Sequence, residues 1–433
     1  MTTVAEDTTL RAQPVRGSSH VIRIGLLGLG HVGSAVARLA RARRRTAGAE
    51  VEVTAALVRD PFRPRAMHGV AVTTDPERVF GTRPTVVVEA LGGLEPARTL
   101  VLEAIARGIP VVTANKSLLA HHGDEILEAA ALAGVPLRYE ASVIAGVPFL
   151  GTFAHRPYAS ALSTVSGIVN GTSNLILTQM QDGTREFSSA LSDAQRNGFA
   201  EPDPSKDVGG IDAVEKLAIL IRQFGRRRVE PREIETTGIE HITPADLAHA
   251  RELGGTLKPV VHVEGLEAAS LAAFAGPAFV PVGHPLARVS HASNGLCLRD
   301  VAGSQLCFTG PGAGPDVTAV TILDDVLEAA STPVTESSWT DARAGLVVPP
   351  STAWFVGVTC RTALPPGADI ADLLGAHGVW AERTTARDTR DDRESHALLT
   401  YPCARSRIER ATAALAASTG SATRIFRALE PLA

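Results

Sequence analysis

Short apolar runs alternate with longer amphipathic stretches along the first third of the chain, and that alternation predicts its elements. Val21–Leu27 (VIRIGLL) predicts a strand, and residues 34–42, apolar at helical spacing, predict a helix just after a glycine turn. Strands are predicted again at 51–58, 85–89 and 109–113, with helices at 97–107 and 123–133. Such a βαβ succession implies a parallel, doubly wound α/β sheet whose ligands bind at the carboxyl ends of the strands. From Leu137 the pattern changes. Residues 138–143 predict a strand, 167–172 a turn of small and polar groups, and 285–325 short strands that complete a second sheet. Residues 331–351 hold Pro333, Pro349 and Pro350 and read as a linker. After it, strands at 353–361, 379–385, 395–401 and 423–428 and helices at 370–376 and 404–417 follow a β-α-β-β-α-β order, with a charged hairpin tip at 387–394. That order is a ferredoxin-like module.

Composition narrows the class. At 433 residues and 45% hydrophobic content the chain can build two or three cores. Its net charge of −4 and single basic run, 41–45 (RARRR) on a predicted helix and its exit, argue for a solvated helix face and against a nucleic-acid partner. No apolar run reaches the length of a membrane span, and residues 1–20 are polar, reading as a disordered leader without a signal-peptide core. Cys297, Cys307, Cys360 and Cys403 lie apart with no CxxC pair, so neither a zinc site nor a disulfide framework is expected, and a reducing cytoplasm fits. The expected domains are 21–140, 141–330 and 352–433.

The chemistry gathers in three places. Gly28, Gly30 and Gly33, with His31 and Val32 between, form GxGxxG between a strand and a helix, the dinucleotide-binding fingerprint. The second strand ends at Arg59, where an acid would serve a ribose. Arg59, with Arg63 and Arg65 behind it, suits a 2′-phosphate and favours NADP, while the adjacent Asp60 keeps NAD open. Two further strand ends carry Gly92 and Gly93, and Asn115 and Lys116. Residues 198–220 then crowd five acids and two lysines ahead of and into an apolar helix, with Asp212 and Lys216 four apart on one face. An Asp-x-x-x-Lys is most often a surface ion pair. Here Ile219 and Leu220 bracket the pair, and Ile211, Val214, Leu217 and Ile221 fill the other face, so the helix is expected to be buried and its charges used.

GLGHVG, VVVEALGG, VVTANK, GIVNGT, GFAEPDPSKDVGGIDAVEKLAIL and GPGAG stand in the order and at about the spacing of the homoserine dehydrogenase family, which residues 20–330 resemble. The trailing module resembles an ACT domain, and with no kinase segment ahead of the nucleotide fold the chain is similar to the monofunctional type. The resemblance implies an N-terminal Rossmann domain, an α+β catalytic and dimerisation domain and an ACT-type regulatory module. It implies reversible hydride transfer between NAD(P)H and L-aspartate 4-semialdehyde, giving L-homoserine. Lys216 would move the proton, with Lys116 the second active-site lysine and Asp212 on the reacting oxygen; which lysine delivers the proton stays open. Glu201 would hold the substrate's amino group, supported by Asp207, with Gly171 and Thr172 near nicotinamide and substrate. A monovalent cation, sodium, is implied at Glu140 and the carbonyls of Val143, Ala145 and Val147, and a homodimer through the middle sheet.

Two departures stand out. Pro259 interrupts a strand otherwise rich in apolar residues and predicts an edge or a break. The effector loop reads LPPG at 364–367 without the usual acid, which predicts indifference to threonine. Rival readings are a sister reductase of another amino-acid aldehyde and a catalytically silent nucleotide-binding regulator.

Overall fold

The computed structural model describes residues 21–42, 45–46, 49–155, 160–181, 184–331, 345–347, 351–360, 369–388 and 394–430. The expected leader, most of the linker, the LPPG loop and the charged hairpin tip lie outside the described residues.

The first sheet is built from β1 (Val21–Leu27), β2 (Arg45–Thr46), β3 (Ala49–Leu57), β4 (Ala71–Thr73), β5 (Val86–Glu89), β6 (Val111–Thr113) and β7 (Leu137–Arg138). Its path is β2-β3-β1-β5-β6-β7, with β4 beside β3. Apart from the β2–β3 hairpin the pairings are parallel, and the chain moves outward from β1 in both directions. That is Rossmann order, with its switch point between β1 and β5. Helices α1 (His31–Ala42), α2 (Pro76–Phe80), α3 (Ala97–Ala106) and α4 (Lys116–Ala133) make the crossovers. α4 starts seven residues before the expected 123 because the Asn115 side chain accepts from the Leu118 N–H and caps it there.

Residues 138–143, expected as one strand, give only the end of β7 and then a 3-10 turn, Glu140–Ser142. The Glu140 carboxylate turns inward and accepts from the backbone N–H groups of Phe149, Leu150 and Gly151 at the head of α5 (Leu150–His155), at 3.0, 3.0 and 2.7 Å. Chain that must bring a side chain into that position cannot stay extended.

The second sheet comprises β8 (Leu162–Ile168), β9 (Glu235–Thr236), β10 (Gly255–Glu264), β11 (Ser270–Pro281), β12 (Ser293–Asp300), β13 (Gln305–Pro311), β14 (Gly345–Leu346), β15 (Trp354–Thr359), β16 (Ala381–Asp388), β17 (Glu394–Thr400) and β18 (Ala422–Ala428). Its path is β13-β12-β8-β10-β11-β18-β15-β17-β16, and β9 and β14 both lean on β11. Around it lie α6 (Gly171–Met180), α7 (Phe187–Arg196), α8 (Ser205–Val208), α9 (Ile211–Gly225), α10 (Pro244–Glu252), α11 (Pro315–Ser331), α12 (Ile370–Gly375) and α13 (Arg405–Thr419). The last four long strands and two helices follow the expected β-α-β-β-α-β order, and their strands continue the second sheet through Ala278 and Phe279 of β11 against Arg427 and Ala428 of β18.

Three expectations are corrected here. β10 is neither broken nor a full edge. Pro259 lies opposite Pro277 of β11, and β8 pairs with β10 only from Val261 onward, so no neighbour needs the absent N–H. Residues 315–325, expected to continue the strands of the second sheet, belong instead to the helix α11, whose Ala319, Ile322, Val326 and Ala329 pack into the core of the first sheet with Ile24, Val36 and Ala40. Finally, Cys297 and Cys307 form a disulfide, because the β12–β13 register sets them directly opposite one another.

α9 is buried as its pattern predicts, with Leu217, Ala218, Leu220 and Ile221 inaccessible in the core between α9 and the second sheet. Ile211 departs from that pattern: at the helix entrance it is exposed. Among the described residues no helix is long and apolar enough to cross a membrane.

Candidate active site

The site forms where the head of α9 meets the end of β8 and the start of α4. Asp212, in the first turn of α9, is buried, and its two oxygens face two lysines. Lys116 Nζ stands 2.8 Å from Oδ1 and Lys216 Nζ 2.9 Å from Oδ2. The Lys216 ammonium also donates to the carbonyl of Val169 at 2.7 Å. Asn170, the next residue, caps α6 with its side-chain oxygen and turns its amide nitrogen to Asp212 Oδ2 and to Asp207 Oδ1, both at 2.8 Å. One carboxylate therefore gathers two lysines contributed by positions a hundred residues apart. An ammonium has three protons. Two of those on Lys216 are committed, and among the described residues the third has no acceptor. The Lys216 side chain is 12% exposed against 37% for Lys116, so Lys216 is the better shielded of the two.

Burial opposes ionisation of Asp212, but the two ammonium groups override it and hold the carboxyl well below the usual range. Asp212 in turn raises Lys116 above the ordinary lysine value, against the effect of burial. Asp207 goes the other way: burial pushes its carboxyl up, and the hydrogen bond from Asn170 offsets this only in part.

The nucleotide loop is made from backbone. Gly28 has φ +106°, and a side chain there would run into the carbonyl of Ala90, 2.5 Å from an added Cβ. At Gly33 a Cβ would strike the Gly28 carbonyl, whereas Gly30 faces open space at the head of α1, ahead of His31 and Val32. Gly92 and Gly93 also lie open, beyond β5. Glu89, the last residue of β5, is inaccessible and ties this end of the sheet together. It accepts from the Leu91 and Gly92 N–H groups, from Thr113 Oγ1 at 2.6 Å and from Asn115 Nδ2 at 3.3 Å. Asn115 also holds the Gly93 carbonyl at 2.7 Å. Arg59 is exposed just past β3, with no bonded partner among the described residues.

Not every expected residue enters the lysine cluster. Glu201 is exposed and its carboxylate meets no described partner, while its carbonyl accepts from Gln195. Thr172 is engaged with the Phe199 carbonyl at 2.8 Å, which fixes the loop leading to Glu201. Gly171 is where it is for close approach: a Cβ would lie 2.8 Å from the carbonyl of Ala292. Glu140 lines a cleft of about 440 Å³ with Asp324, Asp325 and Glu328. Val143, Ala145 and Val147, in the turn that follows Glu140, are buried and do not line that cleft, and no described residue donates a hydrogen bond to their carbonyls. Sequence reasoning missed the part played by Glu89. Its one signal was an acid closing an otherwise apolar strand.

Similarity to known proteins bears on this arrangement. The sequence profile described as homoserine dehydrogenase matches residues 148–327, and that described as the homoserine dehydrogenase NAD binding domain matches residues 28–140. A homoserine dehydrogenase of Corynebacterium glutamicum is 33% identical over 417 residues, covering 92% of this chain and 93% of that protein. The crystal structure of a homoserine dehydrogenase from Thiobacillus denitrificans matches with a TM-score of 0.84 at 32% identity, covering 95% of this chain and 99% of that one. A hyperthermophilic archaeal homoserine dehydrogenase in complex with NADPH matches with a TM-score of 0.61 at 25% identity, over 71% and 97% of the two chains. The glycine loop falls in one matched domain and the Asp212–Lys216 pair in the other, so with likeness along nearly the whole chain the conclusion is direct: this chain belongs to the homoserine dehydrogenase family.

Proposed function

We propose that the chain reduces L-aspartate 4-semialdehyde to L-homoserine reversibly, preferring NADP(H), with Lys216 as the proton donor. The bound nicotinamide supplies the hydride. The chain's own residues must then meet the negative charge that grows on the substrate oxygen. What carries the reading is the shared carboxylate: Asp212 holds Lys216 by one oxygen and Lys116 by the other, so both ammonium groups converge on one small volume. A carbonyl oxygen there can take the free proton of Lys216 as it becomes an alkoxide, while Lys116 stabilises the charge. Glu201, exposed and without a described partner, would receive the substrate's ammonium group, and Asp207 would support the same pocket from its place beside Asn170.

Replacing Lys216 with Ala should lower kcat by about 10²–10⁴, with NADPH affinity by fluorescence nearly unchanged. Lys216→Arg keeps the charge but holds its proton too tightly to give it up. Near-normal kcat in that variant would move proton transfer to Lys116 or to water.

The preference for NADP(H) rests on Arg59, an exposed guanidinium just past the end of β3, and is in keeping with the NADPH complex of the archaeal relative. Arg59→Ala should weaken NADPH roughly ten- to a hundredfold and NADH far less, since a charge-assisted contact contributes about 1.5–3 kcal/mol. Equal losses for both cofactors would reject this assignment.

A monovalent cation, sodium in our reading, would be held by the Glu140 carboxylate and the carbonyls of Val143, Ala145 and Val147. Buried carbonyls that accept no hydrogen bond fit a hard cation, and the ion would brace the hinge between the sheets. In the assembly we propose, a homodimer forms through the middle sheet, in keeping with exposed Val282, Val301 and Leu306 at its strand ends. The C-terminal module is read as an ACT-type regulatory unit on its β-α-β-β-α-β order.

A further inference from the structure

We infer that Asn294 is a positioning residue for the proton donor, acting on Lys216 through the backbone carbonyl they share. The inference rests on the reading of Lys216 given above. Asn294 lies near the start of β12 and is inaccessible to solvent. Its amide nitrogen donates to the Val169 carbonyl at 3.3 Å and to the Gly312 carbonyl at 3.1 Å. The Val169 carbonyl is the same atom that accepts from Lys216 Nζ at 2.7 Å. Both neighbours of the amide nitrogen are acceptors, so only the NH₂ end can face them, and the orientation of the amide follows from chemistry.

The peptide that Asn294 holds is a sensitive one. Val169 links the end of β8 to Asn170, so a single stretch of backbone presents a carbonyl to Lys216 and a side chain to Asp212. A shift of that peptide would disturb both ligands of the lysine. β12 runs beside β8 up to this point, with Gly295 paired to Ile168, and Asn294 is opposite Gly310 on the other side. Around it the backbones pass too closely for side chains. An added Cβ on Gly312 would fall 2.6 Å from Asn294 Oδ1 and 2.7 Å from the Ala292 carbonyl, and one on Gly310 would lie 2.8 Å from Val147 Cγ2. Asn294 Oδ1 has no donor among the described residues. A buried amide that leaves its own oxygen unsatisfied while giving both protons to carbonyls is costly as a purely structural device. Its placement is accounted for if what it secures is the carbonyl behind the catalytic ammonium. The GPGAG stretch then serves the site indirectly, as the far anchor of this clamp.

The test is a double-mutant cycle on kcat, with Asn294→Ala, Lys216→Ala and the pair, and NADPH binding measured alongside. Asn294→Ala should lower kcat about tenfold while the KM for aspartate semialdehyde and the NADPH affinity change less than about threefold. In the Lys216→Ala background the same change should cost less than about twofold, because the group it positions is gone. An equal loss in both backgrounds would mean a general structural role and would overturn the inference. So would an unchanged kcat in Asn294→Ala beside a large loss in Lys216→Ala. If Lys216→Ala itself keeps near-normal kcat, the reading of Lys216 fails, whatever Asn294 does. Should Asn294→Ala not fold, Asn294→Leu removes the donors without opening a cavity or adding a charge, and the same cycle applies to it.

Discussion

Carboxylates are drawn together at two places in the fold, and the chain treats them in opposite ways. At the head of α9, Asp212 has an ammonium on each oxygen and an amide besides, and its carboxyl is held far down. At the end of β7 and along α11, Glu140, Asp325 and Glu328 face one another. Asp325 Oδ2 accepts from the Glu140 N–H at 3.0 Å, and Arg138 pairs with Glu328. Burial pushes Glu140 and Asp325 up, and a neighbouring acid adds to it in each case, Glu328 for Glu140 and Glu140 for Asp325. Among the described residues the first carboxylate has a cation on each oxygen, whereas neither Glu140 nor Asp325 has an ion-pair partner. That contrast motivates the roles proposed above, proton transfer at the first group and a cation at the second, since a lysine can give up a proton whereas acids without an ion-pair partner favour a hard ion.

The largest effect should come from breaking the complete group. Asp212→Asn keeps the shape but removes the charge that gathers both lysines, so kcat should fall at least as far as in Lys216→Ala, about 10²–10⁴. Steady-state rates with saturating NADPH would show it. A variant within tenfold of the parent would mean that the lysines find their places without the carboxylate.

A smaller effect should come from filling the incomplete group. Exchanging choline chloride for sodium chloride at constant ionic strength should raise Tm by roughly 2–4 °C, the shift expected for about 1 kcal/mol of linkage in a domain of this size. Glu140→Gln should lower the baseline, since it weakens the cap on α5, and should also remove most of the sodium increment. An increment that survives the substitution would place the ion elsewhere.

The two groups also differ in how far the sequence revealed them. The α9 group was legible because helical periodicity and a four-residue spacing place Asp212 and Lys216 on one face without any knowledge of the fold. The glycine loop was legible for a similar reason, its motif being local. Glu140 was visible as an acid but not as a cap, since the N–H groups it accepts lie in a turn whose shape depends on the cap itself. The first part of α11 was read with the short strands before it, although its buried Ala319, Ile322, Val326 and Ala329 stand three and four apart, a helical period that the sequence did carry. Cys297 and Cys307 needed the register of a hairpin, and Glu89 and Asn294 are single polar residues on strands whose neighbours come from elsewhere in the chain. Apart from α11, what escaped was what depends on which distant pieces of backbone lie side by side.

The smallest effect separates the two groups by the sign of their response to acid. The folded-state value for Asp212 lies below its ordinary 3.8, so its stabilisation is fully present above about pH 4 and is lost as pH falls through the folded-state value. Glu140 and Asp325 are raised, so their cost is present at neutral pH and is relieved as they take up protons on acidification. Comparing the parent with Asp212→Asn cancels the contribution of Glu140 and Asp325 and leaves that of Asp212 alone. By urea unfolding the parent should be more stable by about 3 kcal/mol between pH 5 and 8, the low end for breaking a buried pair because Lys116 is partly exposed. That advantage should shrink by about 1 kcal/mol on going to pH 3, the loss expected for one proton whose uptake only the unfolded chain permits. A difference that stayed flat from pH 5 to 3 would show that Asp212 is protonated no more readily in the unfolded chain than in the fold, and its two lysines would then not be the partners that hold it ionised.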